Sequence, residues 1–400
     1  MLRAVLAHCQ LILKQQNTQR LLALDVFRGM TITAMILVNN PGSWQHIYAP
    51  LKHAKWHGWT LTDLIFPFFI FIVGVAIPLA VSKQLSKGLS RQQILLQGSI
   101  RMLKLILLGW FLALFYYNFS AEHYNWLEQR LLQMRFMGVL QRLGLVYFVC
   151  LVVWLYVSPR LRILSFVGIL LGYYCALMFI PYQDSSGVTY VGLLDFGNNL
   201  SAWLDSQIFS SQHLYYNTAL PFAFDPEGLL STLPAIASGL SGIFVGQWLI
   251  NPHYSQLLKV KWLLLFGLIA LVMGECWGVY FPINKALWTS SYVLLSSAYA
   301  CVVLAALIFL IDCKNIKTWS APFVVFGANS IAFFMFAGVT GRLLIMLPVS
   351  DTSLKGWLYT QVFHPLLGDL NGSLAFALCF LVMSYMLMYF MYRRGIFWKV

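Results

Sequence analysis

Apolar runs of about 20 residues follow one another along the chain, each long enough to cross a hydrocarbon core of roughly 30 Å. Their boundaries predict ten spans, at 22–40, 62–82, 100–119, 136–157, 161–180, 229–250, 260–281, 288–311, 321–346 and 372–392. Backbone groups in lipid must be satisfied within the segment, which makes such spans helices. No ten-residue alternation suggests a barrel. The pattern therefore predicts an all-α polytopic membrane protein. Composition agrees, with 60% hydrophobic and 10% charged residues and a mean hydropathy of +0.74, outside the range of soluble domains.

Loop charge predicts the orientation. Alternate loops collect Arg3, Lys14 and Arg20; Lys83, Lys87, Arg91, Arg101 and Lys104; Arg160 and Arg162; Lys259 and Lys261; Lys314 and Lys317; and Arg393, Arg394 and Lys399. Of the 13 acids only Asp312 joins them. The positive-inside rule then gives both termini inside, so the net charge of +13 reads as topology and not as nucleic-acid binding. Residues 1–20 read as a cytoplasmic leader, because His8, Gln10 and Lys14 interrupt the apolar stretch and no small-residue cleavage site follows. Residues 21–400 read as one membrane domain with a long external excursion at about 181–228. The seven cysteines stand singly and form no CxxC, which supports neither a zinc site nor a disulfide framework.

Ionisable residues inside spans are costly and face a partner or a cavity. Asp25 and Arg28, three apart, fit a self-neutralised pair on one helix face. Arg135 and Arg142 are seven apart in RFMGVLQRLG and share a face; their anions come either from acids on other helices or from a ligand phosphate. The same choice applies to Lys285 and Arg342, whereas Asn329 fits a helix-bridging amide. In FDPEGLL, Asp225 is placed to cap the helix that follows, with Pro226 in its first turn and Glu227 near its positive end. A helix terminus so placed can also face a ligand.

The densest polar segment runs from Asn39 to Asp63. It holds Asn39, Asn40, Trp44 and three of the eight histidines, His46, His53 and His57, and Asp63 opens the next apolar run. The loop must return from one span to the next, so Asn39, His53 and Asp63 can converge. An imidazole oriented by a carboxylate is a general base, and an amide can hold a substrate or an oxyanion. Zinc held by His46, His53 and His57 is the competing reading, disfavoured by the scarcity of carboxylates and the absence of an assured helix.

LALDVFRGMTITAMILVNNPGSW and LKHAKWHGWTLTDLIFPFFIFIVGVAI resemble the transmembrane acetyltransferases related to heparan-α-glucosaminide N-acetyltransferase. RFMGVLQRLG, FDPEGLLSTLPAIASGLSGIFVG, PINKALWTSSYVL and the terminal YRRGIFWK extend the likeness from about residue 20 to the end, most nearly to short bacterial NagX-type members. The resemblance implies transfer of acetyl from acetyl-CoA to the amine of glucosamine, or of a terminal glucosamine, at or across the inner membrane. It implies a homodimer and no metal. It makes His53 the active histidine and Asn39 its companion, while Asp63 stays the orienting carboxylate that the loop's return suggests; no role passes to His46 or His57. Arg135, Arg142, Lys285 and Trp288 are then candidates for the CoA moiety, and Asn40, Trp44, Asp225 and Glu227 for the sugar. Direct transfer and a ping-pong route through acetyl-His53 are both compatible with these residues. An amino-sugar transporter is the rival reading, although no internal repeat supports it; O-acetylation of an envelope glycan is the other.

Overall fold

The computed structural model describes residues 21–398 together with Cys9, Ile12 and Leu13. The proposed leader therefore lies almost wholly outside the described residues. The architecture is all-α. Helices α1 (Leu22–Asn39), α2 (Ile65–Ser86), α3 (Arg91–Leu114), α4 (Val139–Tyr156) and α5 (Pro159–Phe179) form the first half. The short α6 (Leu200–Ile208) precedes α7 (Leu229–Ile250), α8 (Gln256–Gly278) and α9 (Ser290–Leu307). Then come α10 (Ala321–Ala328), α11 (Ser330–Met346), α12 (Leu354–Leu358) and α13 (His364–Arg393). Among the described residues nine helices or helix runs are long and apolar enough to cross a membrane, or ten when the bent pair Thr318–Ala328 and Ser330–Met346 is one span. The only sheets described are two-stranded hairpins, such as Tyr182–Gln183 with Thr189–Tyr190 and Leu194–Asp195 with Asn198–Asn199.

Three predicted spans differ in detail. The third starts at Arg91 and not near 100, because Ser90 and Gln93 exchange side-chain and backbone hydrogen bonds in a capping box ahead of the hydrocarbon. The ninth is broken by a 72° bend at Asn329. The Asn329 side chain leaves its own helix to accept from the Trp398 N–H (2.9 Å) and donate to the Ile396 carbonyl (2.8 Å), tying down the C-terminal segment. The tenth begins well before 372, running from Leu354 through a π-helical turn at Tyr359–Phe363 into α13, with a break where Gly368 takes φ 74°.

Small residues bring α2 and α7 together. A Cβ on Gly242 would lie 2.2 Å from the Phe71 carbonyl oxygen, and one on Gly74 would lie 2.1 Å from that of Gly239. The driving force for such contacts in lipid is close backbone packing, and a side chain there must push the helices apart. Gly242→Val is accordingly expected to cost at least about 1–3 kcal/mol, read as a drop in thermal unfolding midpoint in detergent. The segment 181–228 is an ordered cap. Trp56 of the loop after α1 packs edge-on against Phe196 (5.2 Å) and Phe224 (5.8 Å), and its indole N–H donates to the Leu194 carbonyl (2.8 Å).

Candidate active site

The loop between α1 and α2 is held at both flanks. Gly42 N–H donates to the carbonyl of Ser373 on α13 (3.1 Å), the Ser43 N–H donates to the Ser373 hydroxyl, and that hydroxyl donates to the Ser43 carbonyl. On the other side Gly58 N–H donates to the Ile283 carbonyl (2.8 Å), while the Asn284 amide donates to the Trp56 carbonyl (3.0 Å). Asp63 organises what lies between. It sits in the turn Leu61–Leu64 that leads into α2, with its side chain 2% exposed. Its Oδ2 accepts from the N–H groups of Ala54 and Thr60 (3.0 Å each) and from the Thr60 hydroxyl (3.1 Å). Its Oδ1 lies 2.6 Å from His53 Nδ1 and 3.5 Å from Lys285 Nζ.

These distances fix a protonation pattern. An ionised carboxylate only accepts, so the hydrogen of a neutral His53 ring sits on Nδ1, and Nε2 keeps its lone pair. In that tautomer the 3.1 Å approach of Lys285 Nζ to Nδ1 brings together two donors that share Asp63 as their acceptor. Half of the His53 side chain is exposed. It faces a cavity of about 300 Å³ whose wall includes Asn39, Asp63, Arg135, Tyr215, Glu227 and Lys285. Asn39, His53 and Asp63 therefore do converge.

Lys285 is placed by a tight turn. The Asn284 side chain accepts from the Leu287 N–H (2.9 Å), and Trp288 takes φ 52°, a left-handed conformation unusual for a bulky residue. Trp288 itself is buried under the guanidinium of Arg142 (5.1 Å), with its N–H on Ser238 (3.0 Å). Burial lowers the Lys285 pKa, against the opposing pull of Asp63 and Glu227, so its ammonium releases a proton more readily than an ordinary lysine.

The anions of Arg135 are protein carboxylates. Its Nε and Nη2 donate to the two oxygens of Asp225 (2.6 Å each), and Nη2 also reaches Glu227. Burial raises the Asp225 pKa; at Glu227 burial also pushes upward, but Arg135, Arg142 and Lys285 together outweigh it and hold the carboxyl low. Arg142 is fully buried and donates to the Gly228 carbonyl and Ser231. Arg142 and Trp288 are thus packed into the protein as part of the wall's support, and of the four candidates for the CoA moiety only Arg135 and Lys285 line the cavity. Of the four sugar candidates Glu227 lines the same cavity, Asp225 is buried against Arg135, and Asn40 and Trp44 line a neighbouring one. Asp25 and Arg28 do form their i, i+3 pair (2.5 Å).

Asp225 does not cap the helix after it. That helix starts at Leu229, and the carboxylate beneath its first turn is Asp205, whose Oδ1 accepts from Leu229 N–H (3.1 Å) and Oδ2 from Asp225 N–H (3.2 Å). A Cβ on Gly228 would lie 2.1 Å from Asp205 Oδ2, so this contact needs glycine. Nothing in the sequence marked Asp205, which lies twenty residues or more from its partners. Burial raises its pKa to about 6. A carboxyl that holds its proton more firmly when folded stabilises the fold below its unfolded pKa, and loses that contribution as pH rises through the folded pKa. The unfolding midpoint of the wild type is therefore expected to fall relative to Asp205→Asn between about pH 4 and 6, then level off. Thermal unfolding across that range checks it.

The other histidines diverge from His53. His46 Nδ1 meets the Tyr359 hydroxyl (3.0 Å), and His57 Nδ1 lies 3.4 Å from the Asn284 amide. Among the described residues no group of three His, Cys, Asp or Glu side chains is placed to hold a metal ion. A further cavity of about 550 Å³ lies at the opposite half of the bundle, with Arg28, Gln84, Gln97, Arg101 and Lys104 in its wall. Arg101 and Lys104, which loop charge explains by topology, therefore also line a cavity.

The fold and site together define a polytopic helical membrane protein that holds a His–Asp–Lys centre in a cavity at one end of its spans. Comparison with known proteins adds what the chain is similar to. A family described as "Domain of unknown function (DUF5009)" matches residues 20–143. Human heparan-alpha-glucosaminide N-acetyltransferase is 30% identical over 362 residues, which cover 79% of this chain and 52% of the human protein. The mouse protein of the same name is 29% identical over 371 residues, covering 80% and 54%. The chain spans about half the length of these curated relatives. Over about four fifths of its own length it is similar to heparan-alpha-glucosaminide N-acetyltransferase.

Proposed function

We propose that the chain transfers an acetyl group from acetyl-CoA to the amine of glucosamine, or of a terminal glucosamine residue, with His53 as general base. The observation that carries this reading is the 2.6 Å contact of His53 Nδ1 with the buried Asp63, which leaves Nε2 available at the cavity. The relatives' name supports the reaction class.

In this scheme the amine nitrogen attacks the thioester carbonyl carbon, and its proton passes to His53 Nε2 as the C–N bond forms. Asp63 stabilises the imidazolium. Asn39 and the Lys285 ammonium face the negative charge that develops on the carbonyl oxygen. The C–S bond then breaks, and the departing CoA thiolate takes the proton from the imidazolium. Direct transfer needs no acetyl-enzyme and is preferred on that ground to a ping-pong route. Arg135 acts by holding Asp225 and Glu227 at the wall. The phosphates of the donor are better served by the opposite cavity, where Arg101 and Lys104 supply positive charge and, among the described residues, the Nε of Arg101 is buried without a hydrogen-bond partner.

Loop charge supports placing both termini and the Arg101 cavity on the cytosolic side of the membrane, which in this reading is a bacterial inner membrane. His53 then faces outward and acetyl crosses between donor and acceptor chambers. The test is incubation of purified protein with acetyl-CoA and glucosamine, with products identified by mass spectrometry. An alkali-stable N-acetylglucosamine is expected. An alkali-labile ester would move the reading to O-acetylation, and no acetylated product would overturn it.

A further inference from the structure

Beside the reaction cavity lies another of about 440 Å³, and Asn39 lines both. Its charged wall comes from three separate elements: Arg130 in the turn Leu127–Leu131, Arg342 on α11 and Lys355 on α12. Among the described residues no carboxylate lines it. All three cations are half-buried, and among the described residues none of them forms a salt bridge. Each is steadied by a neutral neighbour instead. Arg130 lies over the Tyr116 ring (4.3 Å), Lys355 over Trp44 (5.6 Å), and Arg342 donates to the Gly338 carbonyl (3.0 Å). Gly341 keeps the space open, since a Cβ there would lie 3.0 Å from Asn40 Oδ1.

Like charges converging on a half-buried cavity repel one another, and folding gains nothing from gathering them without an anion. The half-buried guanidinium of Arg135 is given two carboxylates; here none comes from the described residues. Two guanidinium groups and an ammonium are the donor set that binds phosphate, sulfate or carboxylate oxygens. We infer that this cavity holds an anionic group carried by the acceptor sugar, so that the preferred acceptor is a glucosamine bearing a phosphate, sulfate or carboxylate. The inference rests on the acetyl-transfer reading and names its substrate class. Asn39, shared by both cavities, lies where the anion's sugar must pass to bring its amine to His53.

The probe is glucosamine 6-phosphate against glucosamine, with purified full-length protein in nanodiscs of phosphatidylcholine. The wild type is expected to favour the phosphate at least about tenfold in kcat/KM. Arg342→Gln and Lys355→Gln are expected to erase most of that ratio through KM, while Arg342→Lys and Lys355→Arg retain it. Equal use of the two acceptors, or a ratio unchanged by the glutamine variants, would overturn the inference. Phosphatidylglycerol in a second set of nanodiscs separates the sources of the anion. If that lipid stabilises the protein through Arg342 while the sugar phosphate gains no preference, the cavity binds a headgroup and the inference falls. Calorimetric titration of both sugars without acetyl-CoA separates this question from catalysis. Preferential binding of the phosphate with no turnover would keep the site and sink acetyl transfer; turnover without preference would do the reverse.

Discussion

His53→Ala is expected to lower kcat/KM for acetyl transfer by about 10²–10⁴-fold while leaving a folded protein. The amine cannot keep its proton as the new C–N bond forms, and without Nε2 the acceptor oriented for it is lost. Folding should survive because half of the His53 side chain is exposed. Asp63 also keeps its bonds to Ala54, Thr60 and Lys285 when the imidazole is gone. The thermal midpoint of the variant should therefore sit close to that of the wild type. Free imidazole added to the variant should restore part of the rate by occupying the vacated space. Wild-type turnover in His53→Ala would remove this residue from the chemistry.

Arg135→Ala is expected to be the most destabilising substitution at the site, by about 3–5 kcal/mol. It leaves Asp225 and Glu227 buried side by side with no guanidinium between them. The damage comes from stranded charge and not from lost packing. Combining it with Asp225→Leu and Glu227→Gln should therefore recover much of the thermal midpoint, although the cavity wall would stay altered. A single Arg135→Ala variant as stable as the wild type would show that the two carboxylates find other partners. A triple variant no better than the single one would assign the loss to packing.

Most of the membrane architecture was legible because the bilayer imposes one length and one backbone solution on every span. What the hydropathy pattern missed follows from local chemistry that it does not weigh. Ser90 and Gln93 start α3 in a polar stretch, Asn329 breaks the ninth span to hold the C-terminal segment, and Gly368 bends the tenth. The convergence of His53, Asn39 and Asp63 was legible for a similar reason, since a short loop between adjacent spans has few places to go. Long-range partners were not. The sequence offered Arg135 a choice between protein acids and a ligand phosphate, and only the fold, which brings Asp225 in from ninety residues away, decides it. Asp205 was invisible for the same cause. Arg130 and Lys355 carry no local motif, and their meaning arises only when three elements bring them with Arg342 around one space.

The most direct test seals acetyl-CoA inside proteoliposomes and adds glucosamine outside, comparing wild-type protein with His53→Ala. If donor and acceptor enter from opposite halves of the bundle, as proposed, N-acetylglucosamine should accumulate outside only with the wild type and only with internal acetyl-CoA. Product that forms only when both substrates share one side would contradict transfer across the membrane. No product under either arrangement would contradict the acetyltransferase account itself.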